Sequence, residues 1–354
     1  MRIGKRDIGA GHPCFIVAEL SANHGQKFEQ AVAVVRAMHQ AGADAVKVQT
    51  YTADTLTIDS RSEPFVVRGG TLWDGRTLHA LYQEAAMPWE WQPRLQQLAA
   101  DLGMEFFSSP FDDTAVEFLE SLGVPAHKIA SFELVDLPLL RRVAATGKPI
   151  IMSTGMATLD EIDEALATLR AAHSGPVALL KCTSAYPAPV EEMHLQTIPD
   201  MARRFAVSIG LSDHTPGHVA AVVAVALGAC IVEKHFTLSR ADPGPDSAFS
   251  MEPSEFRTMV DTIRLAEQAL GRVNYAVSTG EAASRALRRS LFVVQDVRAG
   301  GVFTSKNVRC IRPGHGLHPR HLEEILGATA ARDIAAGTPL DWSLVAAAAN
   351  AYGR

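Results

Sequence analysis

The stretch IVEKHF, residues 231–236, ends the longest apolar run of the chain, which starts at Val219. The run reads as a helix followed by a buried strand, yet that strand finishes on Glu233, Lys234 and His235. Ionisable side chains are costly to bury without a partner. Side chains alternate across a strand, so Glu233 and His235 share one face and Lys234 points to the other. The stretch therefore predicts a buried strand whose end opens at a functional site.

Seven more short apolar runs precede this one, separated by helical patterns. The eight runs are FIVAEL (15–20), AVKVQT (45–50), MEFFSS (104–109), HKIAS (127–131), PIIMST (149–154), VALLKC (177–182), FAVSIG (205–210) and CIVEKH (230–235). Near-continuous apolar strands that alternate with helices indicate a parallel sheet covered on both faces, and eight such units predict a closed (β/α)8 TIM barrel. A doubly wound open α/β sheet is the alternative, but no G-x-G-x-x-G follows the first strand.

The barrel pattern covers residues 1–270. Residues 271–289 are polar and predict a linker with a short helix, and residues 290–354 predict a small β-rich domain. In that domain DVRAGGVFTSKNV, starting at Asp296, is echoed by DIAAGTPLDWSLV, starting at Asp333, and matching tight turns are expected at Gly300 and Gly337. The long connection 51–103 in the barrel predicts an inserted functional segment.

Composition and charge argue against several classes of protein. The 354 residues are 47% hydrophobic and 20% charged with a net charge of -6, and the absence of a block of like charge argues against nucleic acid or anionic lipid as partner. The N-terminus does not resemble a secretory signal, and no apolar run reaches the roughly 18 residues that span a bilayer. Four scattered cysteines favour reduced thiols, so we expect a cytoplasmic protein.

Polar residues collect where the predicted strands end, which in a TIM barrel is the catalytic face. Strand by strand they are Glu19; Lys47 and Gln49; Ser108 and Ser109; Lys128 and Ser131; Ser153 and Thr154; Lys181; Ser212, Asp213 and His214; and Glu233 and His235. Lysines and hydroxyls suit a phosphate and a carboxylate, because lysine supplies a charge and hydroxyls donate oriented hydrogen bonds. His214 and His235, on neighbouring strands, are candidate ligands of a divalent metal, and Glu19 and Glu233 are candidate acid/base groups.

The motifs FIVAELSANH, KVQTYT, FFSSPF, HKIASFE, MSTGMAT, KCTSAYP, GLSDHT and VEKHF, in that order, resemble the sialic acid synthase family. The resemblance implies condensation of phosphoenolpyruvate with an amino-sugar aldehyde to give a nonulosonic acid. The C-terminal segment looks like the SAF (antifreeze-like, β-clip) domain of that family. The AELSANH form and the insert GGTLWDGRTLHALYQEAAMPWEW are similar to the pseudaminic acid synthases, with the N-acetylneuraminate and legionaminic acid synthases as alternatives.

The resemblance also implies a role for each matching position. His214 and His235 would hold a divalent cation, Mn2+, Mg2+ or Co2+, with Glu19 or Glu233 as the base. Phosphoenolpyruvate would be held by Lys47, Ser109, Lys128, Ser131, Ser153, Ser184 and Ser212, although Ser184 departs from an asparagine common in the family. Gln49, Tyr186 and Asp246 match positions on the sugar side. Arg312 matches an arginine that reaches the barrel mouth of a partner subunit, which implies a domain-swapped homodimer.

Two questions stay open on the residues alone. Trp73, Tyr82 and Trp89 of the insert could form an apolar wall for a 6-deoxy sugar, or they could only pack the insert onto the barrel. Two other classes of protein also remain: a class I aldolase that forms a Schiff base on Lys47, Lys128 or Lys181, and a non-catalytic sugar-binding protein.

Overall fold

The barrel that the sequence predicts is present in the structure, a computed structural model that describes residues 1–346. A short antiparallel hairpin, β1 (Arg2–Ile3) and β2 (Arg6–Asp7), comes first. The barrel strands are β3 (Phe15–Glu19), β4 (Ala45–Thr50), β5 (Glu105–Pro110), β6 (His127–Ile129), β7 (Ile150–Ser153), β8 (Val177–Cys182), β9 (Ser208–Asp213) and β10 (Ile231–His235). All are parallel, and β10 pairs with β3, so the sheet is closed. This confirms the TIM barrel.

Helices follow the strands and cover the outside of the barrel. They are α1 (Phe28–Gln40), α2 (Ala53–Leu56), α3 (Leu78–Ala85), α4 (Gln92–Asp101), α5 (Asp113–Leu122), α6 (Leu137–Ala144), α7 (Leu159–Ala171), α8 (Thr197–Phe205), α9 (Val219–Ala226) and α10 (Pro253–Leu270). Side-chain caps fix several starts: Asp112 accepts hydrogen bonds from the first turn of α5, and Thr158 with Glu161 forms a capping box at α7.

The seventh strand was predicted at 205–210, and this prediction was wrong by three residues at each end. Phe205 is the last residue of α8 and its side chain is buried. Ala206 then ends the helix in the left-handed conformation, with φ of 54°. A short apolar run can belong to a buried helix end as well as to a strand, and periodicity does not separate the two.

Alternation along the strands divides the barrel interior into an apolar floor and a polar mouth. Phe15, Val17 and Ile231 belong to a buried apolar cluster inside the barrel. The next inward positions are Glu19 on β3 and Glu233 on β10, because inward side chains recur every second residue. The inward positions of a strand therefore supply apolar side chains to the floor of the barrel and charged side chains to its mouth.

The insert between β4 and β5 carries α2, α3 and α4 and is fastened to the first βα loop. His24 Nε2 lies 3.2 Å from the carbonyl oxygen of Ala85, at the end of α3. Gln26 Nε2 donates to the carbonyl oxygens of Glu84 and Ala86 at 2.8 and 2.7 Å. Carbonyls at a helix end lack intrahelical partners, so these side chains satisfy them and fix the insert.

A second compact unit begins at Arg272, after a first unit of Met1–Gly271. It contains α11 (Thr279–Arg285), β11 (Ser290–Val293), β12 (Val308–Ile311) and α12 (Leu322–Ile325), and β11 pairs antiparallel with β12. The predicted linker helix corresponds to α11. Of the predicted domain 290–354, the last residues, 347–354, lie outside the described part of the chain.

The internal repeat of this unit is confirmed by reciprocal contacts. Ala299 N donates to Asp333 Oδ1 at 2.7 Å, and Ala336 N donates to Asp296 Oδ1 at 2.8 Å. The turns at Gly300 and Gly337 have φ of 76° and 88°, a region that glycine enters without strain. The two copies are thus related by a local pseudo-twofold arrangement. Within residues 1–346, no helix has the length and apolar character needed to cross a membrane.

Candidate active site

Four charged side chains form a chain of alternating sign in the barrel mouth. Lys47 Nζ lies 2.9 Å from Glu19 Oε2 and 3.2 Å from Glu233 Oε1, and Lys128 Nζ lies 3.6 Å from Glu233 Oε1. None of the four side chains is more than 6% exposed. Charges buried this deeply are tolerated because each has a partner of opposite sign. The structure thus brings together residues from β3, β4, β6 and β10.

The two carboxyl groups of this network have different proton affinities. Burial raises the pKa of Glu19 to about 7, although the Lys47 cation beside it acts in the opposite direction. Burial alone would raise the pKa of Glu233 too, but Lys128 and Lys47 hold that pKa below its usual value. Carboxylates whose pKa values are pushed apart can take different roles in acid/base chemistry. Glu19 can exchange a proton near neutral pH, whereas Glu233 stays ionised.

Serine hydroxyls extend the network on the side of Lys128. Lys128 Nζ donates to Ser153 Oγ at 2.7 Å, and Ser212 Oγ donates to Glu233 Oε1 at 3.2 Å. Ser109 is paired in register with Gln49, and its buried hydroxyl makes no hydrogen bond within the described chain. A buried polar group without a partner is uncommon and is explained where a ligand supplies the missing bond.

Ser131 and Ser184 meet at Gly155, after the ends of β6, β7 and β8. Ser131 Oγ accepts a hydrogen bond from Gly155 N at 3.1 Å. A Cβ atom on Gly155 would lie only 2.1 Å from Ser184 Oγ and 2.8 Å from Ser131 Oγ. Cys182 completes this cluster, with Sγ 3.8 Å from Ser184 Oγ. Its strand reads as an apolar run, so no pattern predicted that the thiol lies beside polar site residues.

His214 and His235 lie side by side, with ring centroids 5.4 Å apart. His214 Nδ1 is 3.0 Å from the carbonyl oxygen of Thr183. Because a carbonyl can only accept, Nδ1 carries a proton, and Nε2 is the ring nitrogen that remains for a metal, as in many metal-binding histidines. Burial, and then the nearby His214, hold the pKa of His235 well below its usual value, so the His235 imidazole is neutral.

The chemistry of this histidine pair fits a divalent cation. His235 Nδ1 is buried, has no hydrogen-bond partner among residues 1–346, and lies 3.9 Å from Asp246 Oδ2. Imidazole nitrogens are suitable ligands for such an ion, and a hydrated or substrate-bound ion would take oxygen atoms at its other positions. Across residues 1–346, no three His, Cys, Asp or Glu side chains cluster around one metal position.

A polar relay links the acid network to the other side of the mouth. Gln49 Nε2 donates to Glu19 Oε1 at 3.2 Å and to Ser21 Oγ at 3.0 Å. Ser21 Oγ in turn donates to Asp246 Oδ2, and burial raises the pKa of Asp246. Ser21 has a positive φ of 46°, which single-sequence patterns do not predict for serine. It is a site residue that the sequence analysis missed.

Glu133 is a second missed residue. It follows β6 in the 3-10 turn Ser131–Val135, and one of its carboxyl oxygens is buried without a partner in the described chain. Burial raises its pKa to about 7. The motif HKIASFE contains this residue, but a turn has no periodicity that would indicate where its side chains point.

Aromatic rings line the mouth beside the histidines. Tyr186 lies 4.3 Å from His214 and Phe249 lies 5.0 Å from His235, measured between ring centroids. Trp73 of the insert lies 5.8 Å from Tyr186 and 6.5 Å from Phe249. Of the three insert aromatics named above, Trp73 therefore reaches this group of rings.

The other two insert aromatics lie against different partners. The Trp89 ring packs 4.9 Å from that of Phe118 on α5, and Trp89 Nε1 donates to the carbonyl oxygen of Tyr51 at 3.1 Å. Tyr82 contacts the ring of Tyr51 at 6.0 Å. Trp89 fastens the insert to the outside of the barrel, the second of the two roles considered for it.

Lys234 points away from the mouth, as alternation predicts. Its Nζ donates to Asp213 Oδ2 and to the carbonyl oxygen of Thr215, both at 2.6 Å. Lys181 is also apart from the acid network, since its Nζ donates to the Cys182 carbonyl oxygen at 2.8 Å and to a threonine hydroxyl. Arg312 directly follows β12 in the second unit, so its contact with a partner's barrel stays a prediction.

Comparison with known proteins identifies relatives along nearly the whole chain. Residues 34–275 match the NeuB family, and residues 288–346 match the SAF domain. A pseudaminic acid synthase of Helicobacter pylori is 44% identical over 93% of this chain and 96% of its own length. An N,N'-diacetyllegionaminic acid synthase of Legionella pneumophila is 36% identical over 97% of this chain and 98% of its own. Among solved structures, the N-acetylneuraminic acid (sialic acid) synthetase of Leptospira borgpetersenii superposes with a TM-score of 0.71 at 28% identity, covering 80% of this chain and 94% of the other.

Proposed function

The chain belongs to the NeuB family, and from that premise we propose that it condenses phosphoenolpyruvate with 2,4-diacetamido-2,4,6-trideoxy-L-altrose and water. The products are pseudaminic acid and phosphate. The observation that carries the chemistry is the buried chain of Glu19, Lys47, Glu233 and Lys128 in the same barrel mouth as a histidine pair at the ends of β9 and β10. Higher identity with the pseudaminic than with the legionaminic relative favours this aldehyde. N-acetylneuraminate synthesis and legionaminic acid synthesis are the alternatives.

The lysine side of the mouth suits phosphoenolpyruvate, which carries a carboxylate and a phosphate. Lys47 and Lys128 supply positive charge in a site that excludes water, where ionic attraction is strong. Hydroxyl groups donate the oriented hydrogen bonds that fix a phosphate. The hydroxyls available for this task are those of Ser109, Ser131, Ser153, Ser184 and Ser212.

The histidine side suits the aldehyde. His214 and His235 would hold the divalent cation, which when bound polarises a carbonyl oxygen and favours attack at its carbon. Gln49 and Asp246, linked through Ser21, lie on the same side of the mouth and orient the hydroxyl and acetamido groups of the sugar. Tyr186 contacts His214 and closes this side against water.

The reaction joins C3 of phosphoenolpyruvate to the aldehyde carbon, the aldehyde oxygen takes up a proton to become a hydroxyl, and positive charge develops at C2. Ionised Glu233 lies among these groups and stabilises that charge. Water then adds to C2 and loses a proton, and Glu19, with a pKa of about 7, accepts this proton at neutral pH. The tetrahedral carbon expels phosphate by cleavage of its C–O bond, and the C2 hydroxyl loses its proton to give the ketone.

Assembly and domain limits form a further part of the proposal. The catalytic barrel occupies residues 1–270, a linker occupies 271–289, and the SAF domain begins at 290. Arg312 reaches the barrel mouth of a second subunit in a domain-swapped homodimer. The enzyme acts in the cytoplasm, where phosphoenolpyruvate is formed.

A phosphate-release assay tests the proposal. Phosphoenolpyruvate is offered with the altrose aldehyde, with N-acetylmannosamine and with the legionaminic precursor, each with and without a chelator. We expect the fastest release with the altrose aldehyde, and loss of release when the chelator is present. Fastest release with another aldehyde would transfer the assignment to the corresponding alternative.

The other classes of protein predict different results. A class I aldolase would keep its activity in chelator and would give a lysine adduct when borohydride is added with substrate. Lys47 is a poor candidate for that adduct, because the carboxylates of Glu19 and Glu233 outweigh the effect of burial and raise its pKa. A non-catalytic sugar-binding protein would release no phosphate with any aldehyde.

A further inference from the structure

Trp73 belongs to the insert, yet its ring stands at the mouth of the barrel. It contacts Tyr186 and Phe249, which in turn contact His214 and His235. One layer of rings therefore separates Trp73 from the histidines. With the aldehyde of an open-chain sugar at the histidines, Trp73 stands one layer of rings away, where the far end of a six-carbon chain can reach it.

The surface that Trp73 offers is apolar. Its only polar group, the indole Nε1–H, already donates to the carbonyl oxygen of Pro245 at 3.0 Å. Trp73 is half-buried, and the face that remains has no donor or acceptor for a hydroxyl. Phe249 adds a second ring without polar atoms. Together these side chains form an apolar wall, which stabilises a methyl group and leaves a hydroxyl without a partner.

The wall is held in place before any substrate binds. His24 and Gln26 fasten the end of α3, and Trp89 fastens the segment before α4. The bond from Trp73 to Pro245 ties the insert to the loop that carries Asp246. A preorganised wall discriminates more sharply than a mobile one, because little ordering cost is added on binding.

We infer that Trp73 selects aldehydes whose terminal carbon is a methyl group over aldehydes that carry a hydroxymethyl group there. The inference rests on the proposed function, because it takes the histidines as the site of the aldehyde. A hydrophobic pocket rejects an added hydroxyl by at most about 100-fold. Trp73 contributes about tenfold to the preference for the methyl-bearing aldehyde. This is the lower end of the discrimination that one small apolar group provides in a hydrophobic pocket.

The test compares two aldehydes that differ in one oxygen atom: the 6-deoxy altrose derivative and its 6-hydroxy analogue. We expect Trp73→Ala to reduce the ratio of their kcat/KM values about tenfold, with the KM for phosphoenolpyruvate unchanged. Trp73→Phe keeps an apolar ring but loses the bond to Pro245, and it should keep most of the ratio. Tyr82→Phe is the matched control from the same insert, because its ring packs against Tyr51, and it should leave the ratio at the wild-type value.

A purely structural role for Trp73 gives a different result. If Trp73 only positions the Asp246 loop, Trp73→Ala lowers kcat/KM for both aldehydes equally and the ratio stays constant, which overturns the inference. Failure of the proposed function is seen separately, as absence of phosphate release by the wild-type enzyme with the altrose aldehyde. In that case the ratio is measured with N-acetylmannosamine and its 6-deoxy analogue, and an unchanged ratio overturns the inference there too.

Discussion

Glu19→Gln should remove the step in the pH dependence of kcat that belongs to the catalytic base. A group with a pKa of about 7 is ionised to about 9% at pH 6 and to about 91% at pH 8. If ionised Glu19 accepts the proton of water, kcat of the wild-type enzyme rises about tenfold between these two values, because only the ionised fraction acts. In Glu19→Gln the step disappears and kcat at pH 8 falls by about 100-fold to 10,000-fold, the usual contribution of a general base.

Lys47→Met tests the assignment of Glu19 quantitatively. The Lys47 cation lies 2.9 Å from Glu19 Oε2 and favours the ionised carboxylate. Even with the dielectric constant of bulk water, an ion pair at this separation contributes about 1.4 kcal/mol, which equals about one pH unit. Loss of the cation therefore moves the midpoint of the kcat profile upward by about one unit or more. Measurement at saturating phosphoenolpyruvate removes the effect of weaker substrate binding.

The control is Glu133→Gln, because burial raises the pKa of Glu133 to about 7 as well. Continuous detection of released phosphate from pH 5.5 to 8.5 gives all profiles under one set of conditions. The phosphate of the substrate titrates with a second pKa of about 6, so a weak limb near that pH is expected in every variant. The assignment of Glu19 is refuted if the step near pH 7 survives in Glu19→Gln and vanishes in Glu133→Gln.

Three further outcomes are expected. Lys234→Met should lower the free energy of unfolding by about 3–5 kcal/mol in urea titrations, because the buried carboxylate of Asp213 loses its partner; a loss below 1 kcal/mol would contradict a buried ion pair. Gly155→Ala should raise the KM for phosphoenolpyruvate, because its new methyl group displaces the hydroxyls of Ser131 and Ser184, while circular dichroism should show an intact fold. An unchanged KM argues against phosphate binding by these two hydroxyls. His235→Ala should abolish calorimetric binding of Mn2+ and kcat together, whereas exposed His173→Ala retains both; equal metal binding by the two variants would remove His235 as a ligand.

The fold was largely predictable because it depends on short-range patterns. Period-two alternation in IVEKHF separates Glu233 and His235 from Lys234, and the structure places the first two in the mouth and the third against Asp213. The eight apolar runs predicted the number of barrel strands. The polar residues at the strand ends predicted most of the residues that line the mouth. The one misplaced strand arose where an apolar helix end continues directly into a strand.

The rest of the site depends on contacts that no local pattern encodes. Ser21 and Asp246 are hydrogen-bonded although 225 residues separate them in the chain. Asp246 was found only through the family resemblance, and Ser21 and Glu133 were not found, because both lie in irregular turns. The pKa difference between Glu19 and Glu233 likewise follows from which of them lies nearer to Lys128, a consequence of barrel closure.

The crossed aspartates of the C-terminal repeat have a consequence for how that unit can change in evolution. Asp333 holds the turn at Ala299, and Asp296 holds the turn at Ala336, so neither copy closes its own turn. A single copy is complete only when a second faces it, as in a homodimer whose two chains have been joined end to end. Duplication and fusion of one short ancestral segment would produce this arrangement. Substitution of the aspartate in one copy therefore removes a hydrogen bond from the turn of the other copy, so the two copies constrain each other in evolution.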